Sequence, residues 1–150
     1  MDSERALRGS FTARVDDKGR LKLPTLFKTR VEEKYGNEVF VTSVDGTSVL
    51  VYPMPVWEAF EDRLRKIPGT DPVGADYLLR VNFYGQPTEF DAQGRLVIQP
   101  RLRESAAMAG DVSVVGRVDY LELWNFDRIK ARAGKPFTDE HARVLASYGV

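Results

Sequence analysis

Asp16-Asp17-Lys18-Gly19-Arg20-Leu21 returns 75 residues later as Asp91-Ala92-Gln93-Gly94-Arg95-Leu96. The shared phrase is D-x-x-G-R-L. It is preceded by Val15 or Phe90 and followed two positions after the leucine by an apolar residue (Leu23, Ile98), then by a proline (Pro24, Pro100). One copy would carry little weight. Two copies, each leading into the same kind of segment, indicate an internal duplication and predict two related units.

The flanks of the first copy predict a strand at Ser10–Val15, where Phe11, Ala13 and Val15 alternate with Thr12 and Arg14. Asp16 to Gly19 is a turn, because Asp bonds nearby backbone amides and Gly tolerates positive φ. Arg20–Leu23 follows as a strand with Leu21 and Leu23 inward, and Pro24 suits the first turn of a helix that Gly36 ends. Strands are expected at Val39–Val44 and Ser48–Tyr52, joined by Asp45-Gly46. A helix is expected over 53–67, with Trp57, Phe60, Leu64 and Ile67 on one side. Asp71 and Pro72 open another, with Val73, Tyr77 and Val81 on one face.

The second copy repeats the order: a short strand at 86–90, the turn, a strand with Leu96 and Ile98 inward, and a helix from Pro100 to Ala109 ended by Gly110. Strands at Val112–Val115 and Val118–Trp124 and a helix from Phe126 to Ala133 complete it. In the tail, Thr138 is a candidate N-cap and Val144, Leu145 and Tyr148 form an apolar side that either docks or stays free. The duplication is imperfect. Pro24 lies four positions past Arg20 but Pro100 five past Arg95, and the second unit lacks the Asp-Gly hairpin. The expected fold is α+β: two β-rich units, each a hairpin-bearing split-barrel element with a helix, sharing one core and related by an approximate two-fold. The expected boundaries are 8–83 for the first repeat with its connecting helices, 84–133 for the second, and 134–150 for a helical tail.

The 150 residues suffice for such a core, and 43% apolar with 29% charged residues is a globular composition. There is no cysteine, which excludes disulfides and thiolate chemistry. Met1–Ser10 carries Asp2, Glu4, Arg5 and Arg8 without an apolar run, unlike a secretory leader. No apolar stretch approaches the roughly 20 residues of a membrane span. Formal net charge is zero, but residues 1–30 hold eight Lys/Arg against four acids, a net of +4, balanced by −4 in the remainder. This is either a basic face on a neutral protein or ordinary surface scatter.

In the repeated phrase, Asp16, Gly19 and Leu21, and Asp91, Gly94 and Leu96, have a structural reading. Asp closes the turn, Gly supplies the unusual φ, Leu packs, and Arg folds back onto the carboxylate. A direct ligand contact by Asp is disfavoured, because a carboxylate repels phosphate. The functional reading belongs to the other face. Thr12, Arg14, Lys18, Arg20 and Lys22 share one side of a two-stranded ribbon and its turn. Such a ribbon fits the DNA major groove, where Arg and Lys donate to guanine O6 and N7. The candidate DNA-binding residues are therefore Arg14, Lys18, Arg20 and Lys22. In the second copy Glu89, Gln93 and Val97 replace Arg14, Lys18 and Lys22, leaving Arg95. The first ribbon is expected to contact DNA, and the second, with Asp91, Gly94 and Arg95, to be scaffold.

Arg8-Gly9-Ser10-Phe11, the first D-x-x-G-R-L phrase and Pro24 resemble the opening of the MraZ family. So do Leu50-Val51-Tyr52-Pro53 followed by Trp57-Glu58, the second motif, and Leu121-Glu122-Leu123-Trp124. The resemblance runs from about Leu7 to at least Ala133, and relates the chain to AbrB-like swapped-hairpin proteins. Met1–Ala6 precede the point where that family usually begins. The resemblance implies duplicated swapped-hairpin β-barrel units with short helices and a pseudo-two-fold. It also implies a bacterial transcriptional regulator, often a repressor, of the division and cell-wall gene cluster. Such a protein binds short direct repeats in double-stranded promoter DNA, is cytoplasmic and nucleoid-associated, and assembles into a ring of identical subunits.

Two rival classes fare less well. An enzyme would have to work with one histidine, His141, and without a nucleophile elbow, a His/Cys metal cluster, a Walker loop or a dinucleotide fingerprint. The expectation is no catalysis, no cofactor, no metal, no small-molecule substrate and no membrane. A structural or protein-binding homo-oligomer without specific DNA recognition is the other rival, with Trp57, Phe60, Trp124 and Phe126 as either interface anchors or core.

Overall fold

The computed structural model describes Ala6–Val150. Met1–Arg5, which carry part of the N-terminal charge counted above and most of the segment read against a leader, lie outside the described residues. The first unit runs β1 (Ser10–Val15), β2 (Arg20–Lys22), α1 (Thr25–Tyr35), β3 (Glu38–Thr42), β4 (Val49–Pro53) and α2 (Met54–Leu64), followed by α3 (Pro72–Phe83). The second runs β5 (Gln86–Glu89), β6 (Arg95–Val97), α4 (Pro100–Ser105), β7 (Gly110–Arg117), β8 (Tyr120–Asn125) and α5 (Phe126–Ala133), with α6 (Asp139–Ala146) in the tail.

All eight strands form one antiparallel sheet in the order β5-β3-β4-β8-β7-β1-β2-β6, and its two end strands, β5 and β6, approach each other to make a nearly closed barrel. Exchanging each strand of the first unit for its counterpart in the second maps this ring onto itself. The hairpins are swapped: β1 pairs with β7 of the second unit, β5 with β3 of the first, and β2 with β6. Leu21 lies directly opposite Leu96, its own repeat partner. The N–H of Leu23 donates to the Gly94 carbonyl (3.1 Å) and the N–H of Ile98 to that of Gly19 (2.9 Å), two reciprocal bonds related by the same pseudo-two-fold.

One core fills the barrel with residues of both units, among them Leu21, Phe27, Val49 and Val51 from the first and Leu96, Leu102, Val114 and Leu123 from the second. A second, aromatic cluster joins Phe40, Tyr52, Trp57 and Val81, with Phe60 and Tyr77 packed against it. Trp57 is therefore core and Phe60 partly so, whereas Trp124 is half-buried and Phe126 is exposed. Thr42 Oγ1 donates to the Val81 carbonyl at 2.6 Å and ties α3 to β3.

Several elements depart from the sequence expectations. Helix α4 stops at Ser105 instead of Ala109 because Ala107 takes φ 52°. Met108 N–H donates to the Arg103 carbonyl and Ala107 N–H to that of Glu104, a Schellman ending with alanine where glycine is usual. Helix α2 ends at Leu64, three residues early. On α3, Val81 is buried and Tyr77 half-buried, but Val73 is exposed and Gly74 takes the buried position. Phe11 is more exposed than strand alternation predicts, although its ring meets Phe27 edge-on at 5.2 Å. The strand expected to start at Val118 starts at Tyr120: β7 runs on to Arg117, which pairs with Tyr120 across a Val118-Asp119 turn. Val118, at φ 67°, is held there by two backbone bonds with Leu7. A β-branched residue at positive φ is a signal no turn propensity contains. Asp71 caps α3 by accepting from the N–H groups of Val73 and Gly74, and Thr138 caps α6, as their sequences predict.

Candidate nucleic-acid interface

Each motif turn is a clamp built from one aspartate. In the first, Asp16 N–H donates to the Arg20 carbonyl (2.9 Å) and Gly19 N–H to the Asp16 carbonyl (3.0 Å). Asp16 Oδ1 accepts from the backbone N–H groups of Lys18 (2.9 Å) and Arg20 (2.8 Å), and Oδ2 accepts from Arg20 Nε (2.7 Å). Gly19 sits at φ 78°, a left-handed conformation that favours glycine. The second clamp has the same parts: Asp91 Oδ1 accepts from Gln93 N–H and Arg95 N–H, both at 2.9 Å, and Oδ2 from Arg95 Nε at 2.8 Å, with Gly94 at φ 75°. The Arg20 N–H is the main cause that holds the Asp16 carboxyl below its ordinary value, helped by the Arg20 guanidinium and the Lys18 N–H. Arg95 and Gln93 do the same for Asp91.

The clamp does two things. It fixes the turn, and it holds each arginine through Nε alone, so the carboxylate does not occupy its terminal nitrogens. A guanidinium held this way loses little freedom on donating a bidentate pair. Because Leu21 and Leu96 are buried, their neighbours Arg20, Lys22, Arg95 and Val97 lie on the outer face of the two-stranded β2–β6 ribbon. Lys18 stands exposed in the first turn and Lys22 exposed on β2.

The strand register changes the neighbourhood that the sequence suggested. Lys22 is directly opposite Arg95, and Arg20 is opposite Val97. The basic field of the first unit therefore extends to Arg95, which is not isolated among Glu89, Gln93 and Val97. Arg14 lies on the neighbouring strand β1, exposed, with Nη1 3.2 Å from Asp111 Oδ1 on β7. That partner, 97 residues away, partly offsets its charge and was invisible in the sequence. Arg14, Arg20 and Lys22 thus share the outer face of the sheet with Arg95, Asp111 lies at its edge, and Lys18 is exposed in the adjoining turn. Among the described residues no helix is long and apolar enough to cross a membrane, and no group of three or more His, Cys, Asp or Glu could hold a metal ion.

The family model for the MraZ protein matches residues 6–78 and 86–146. A protein named Transcriptional regulator MraZ from Acidobacterium capsulatum is 46% identical over 144 residues, covering 95% of this chain and 99% of its own. A namesake from Koribacter versatilis is 41% identical over 145 residues, with 95% and 99% covered. Another, from Escherichia coli O127:H6, is 32% identical over 119 residues, with 79% and 78% covered. The two matched segments each contain one clamp, and on these matches the chain belongs to the MraZ family.

Proposed function

We propose that this chain is a transcriptional regulator that recognises double-stranded DNA by sequence, laying the outer face of β2 and β6 in the major groove. Its targets are short direct repeats in the promoter of the bacterial division and cell-wall gene cluster, where it acts as a repressor, and its place is the cytoplasm, on the nucleoid. The names of its relatives support a role in transcription. The observation that carries the DNA reading is the register that sets Lys22 against Arg95 beside Arg20, cations of both repeats on one exposed ribbon. The clamped arginines suit guanine O6 and N7, while Arg14, Lys18 and Lys22 suit phosphates, which position the protein without reading sequence.

One such face offers only a handful of cations, so a single copy would bind weakly at physiological salt. A ring of identical subunits placing several ribbons along successive turns of DNA raises avidity without new contacts. Footprinting on the DNA upstream of the protein's own gene, near physiological salt, should show protection confined to short direct repeats. Equal retention of promoter and random DNA, both lost at moderate salt, would reduce the protein to a charged bystander. Light scattering that finds a monomer at micromolar concentration would remove the ring.

A further inference from the structure

Each motif turn is covered by a cation that belongs to the other repeat. Arg103 of α4 lays its guanidinium on the α-carbon of Gly19: a Cβ built there would meet Arg103 Nη1 at 1.7 Å and its Cζ at 2.8 Å. Lys28 of α1 covers Gly94 in the same manner, its Cδ 2.5 Å from where a Cβ would sit. Lys28 and Arg103 are 75 residues apart, the same interval as the motifs, so this is one contact made twice by the pseudo-two-fold. Both glycines are buried despite lying in turns.

The two copies differ in charge. Lys28 Nζ lies 2.6 Å from Glu32 Oε1, one turn along α1. The residue 75 positions after Glu32 is Ala107, and among the described residues Arg103 makes no ion pair. Arg103 lines an open cleft of about 550 Å³ between the first turn and α4, together with Asp16, Asp17, Glu104 and Ala107. The Asp16 carboxylate is already taken by three donors of its own motif. The cation behind the second turn is therefore held in an ion pair, and the one behind the first is not, with the Asp17 and Glu104 carboxylates elsewhere in its cleft.

We infer that Arg103 is a positioning residue of the first DNA-contacting turn, supplied by the second repeat. Its guanidinium wedges the Gly19 backbone into place and holds a positive charge free of an ion pair behind Lys18 and Arg20. The role in DNA binding rests on the function proposed above. The charge acts on phosphates within a Debye length, about 10 Å at 0.1 M salt, so its loss should show in the salt dependence of binding, which a purely structural wedge would not move.

The test compares wild type, Arg103→Gln, Lys28→Gln and Ala107→Glu as full chains. Hydrogen exchange is followed in the free protein, and affinity for the footprinted promoter repeat is measured against salt. Arg103→Gln should speed exchange at the Gly19, Arg20 and Ile98 amides. It should weaken binding about tenfold and make the log–log salt slope shallower by about 1. Lys28→Gln should speed exchange at Gly94, Arg95 and Leu23 and leave the slope as in wild type. Ala107→Glu adds a carboxylate to the cleft that Arg103 lines, so it should reduce the slope with the wedge still in place. This variant decides the charge if Arg103→Gln does not fold. A wild-type slope in both Arg103→Gln and Ala107→Glu, or an equally flattened slope in Lys28→Gln, overturns the inference. Should wild type show no promoter preference, the DNA reading falls, while exchange in the free protein still decides the wedge.

Discussion

At Asp16–Arg20 and at Asp91–Arg95 the corresponding hydrogen bonds of the two clamps differ by no more than 0.1 Å, yet little around them is alike. The first turn joins β1 and β2, which pair at Val15 and Leu21, and β1 carries Arg14 against Asp111. The second joins β5 and β6. There β5 ladders with β3 as β1 does with β7, but Glu89 faces Glu38 where Arg14 faces Asp111. Lys18 is matched by Gln93, and Lys22 by Val97. What the two copies share is the clamp and the buried leucine, the parts that hold the backbone. What they do not share is the exposed residues beside them, Lys18 against Gln93 and Lys22 against Val97. The repeated phrase is a mounting, and the chemistry it presents is written at the positions beside it.

The symmetric half of the comparison should yield the largest effects. Leu21 and Leu96 are fully buried and face each other. Leu21→Ala and Leu96→Ala should each lower the unfolding free energy by about 3 kcal/mol in a denaturant titration. The double variant should cost less than the sum, because the two truncations share one cavity. Strongly unequal costs would show that the repeats are not mechanically equivalent.

The outward residues come next. Arg20→Ala should weaken binding to the promoter repeat by about 10- to 100-fold and relax its specificity, the loss of one bidentate arginine–base contact. Arg95→Ala should approach the same loss, since Lys22 lies opposite it. Normal binding by Arg95→Ala beside a defective Arg20→Ala would confine DNA contact to the first turn, as the local sequence alone suggests.

Acid should disturb both clamps alike. The Asp16 and Asp91 carboxyls are held below their ordinary values, chiefly by the N–H of Arg20 and of Arg95. A carboxyl depressed in the folded state stabilises it above the unfolded value, about 3.9, and loses that contribution as pH falls through the folded value. Thermal melts should show stability declining below about pH 4, with Asp16→Asn and Asp91→Asn each removing a similar part of that decline. The smallest effect compares the helix ends. The first unit closes α1 at Gly36, φ 92°, and the second closes α4 at Ala107, φ 52°. Ala107→Gly should raise stability by about 0.5–1 kcal/mol, because alanine is strained at positive φ. No gain on melting would mean that the Schellman bonds hold Ala107 without strain.

The sequence exposed what local chemistry decides. The glycine and aspartate of each turn, the caps at Asp71 and Thr138, and the alternation around Leu21 and Leu96 all follow from residues a few positions apart. It concealed what distant pairing decides. Nothing near Arg14 announces Asp111, nothing near Lys22 announces Arg95, and nothing near Gly19 announces Arg103. The swap that joins β1 to β7 is a choice between two similar partners, and alternation in β1 fits both. Ala107 and Val118 were missed for another reason: each occupies positive φ against its own propensity, held by bonds that only the finished fold supplies.

The ladder from β1 to β7 sets Ser10 against Val115, and this gives the protein a timetable. During synthesis β1 and β2 emerge early and must wait, edges unpaired, until most of the second repeat has followed, at about 5–20 residues per second. Closing so long a loop before any reward makes folding slow. An unpaired edge in the meantime is open to the β7 strand of a neighbouring nascent chain. A product truncated before Gly110 lacks the strand on which β1 zips, so its β1 keeps an open edge.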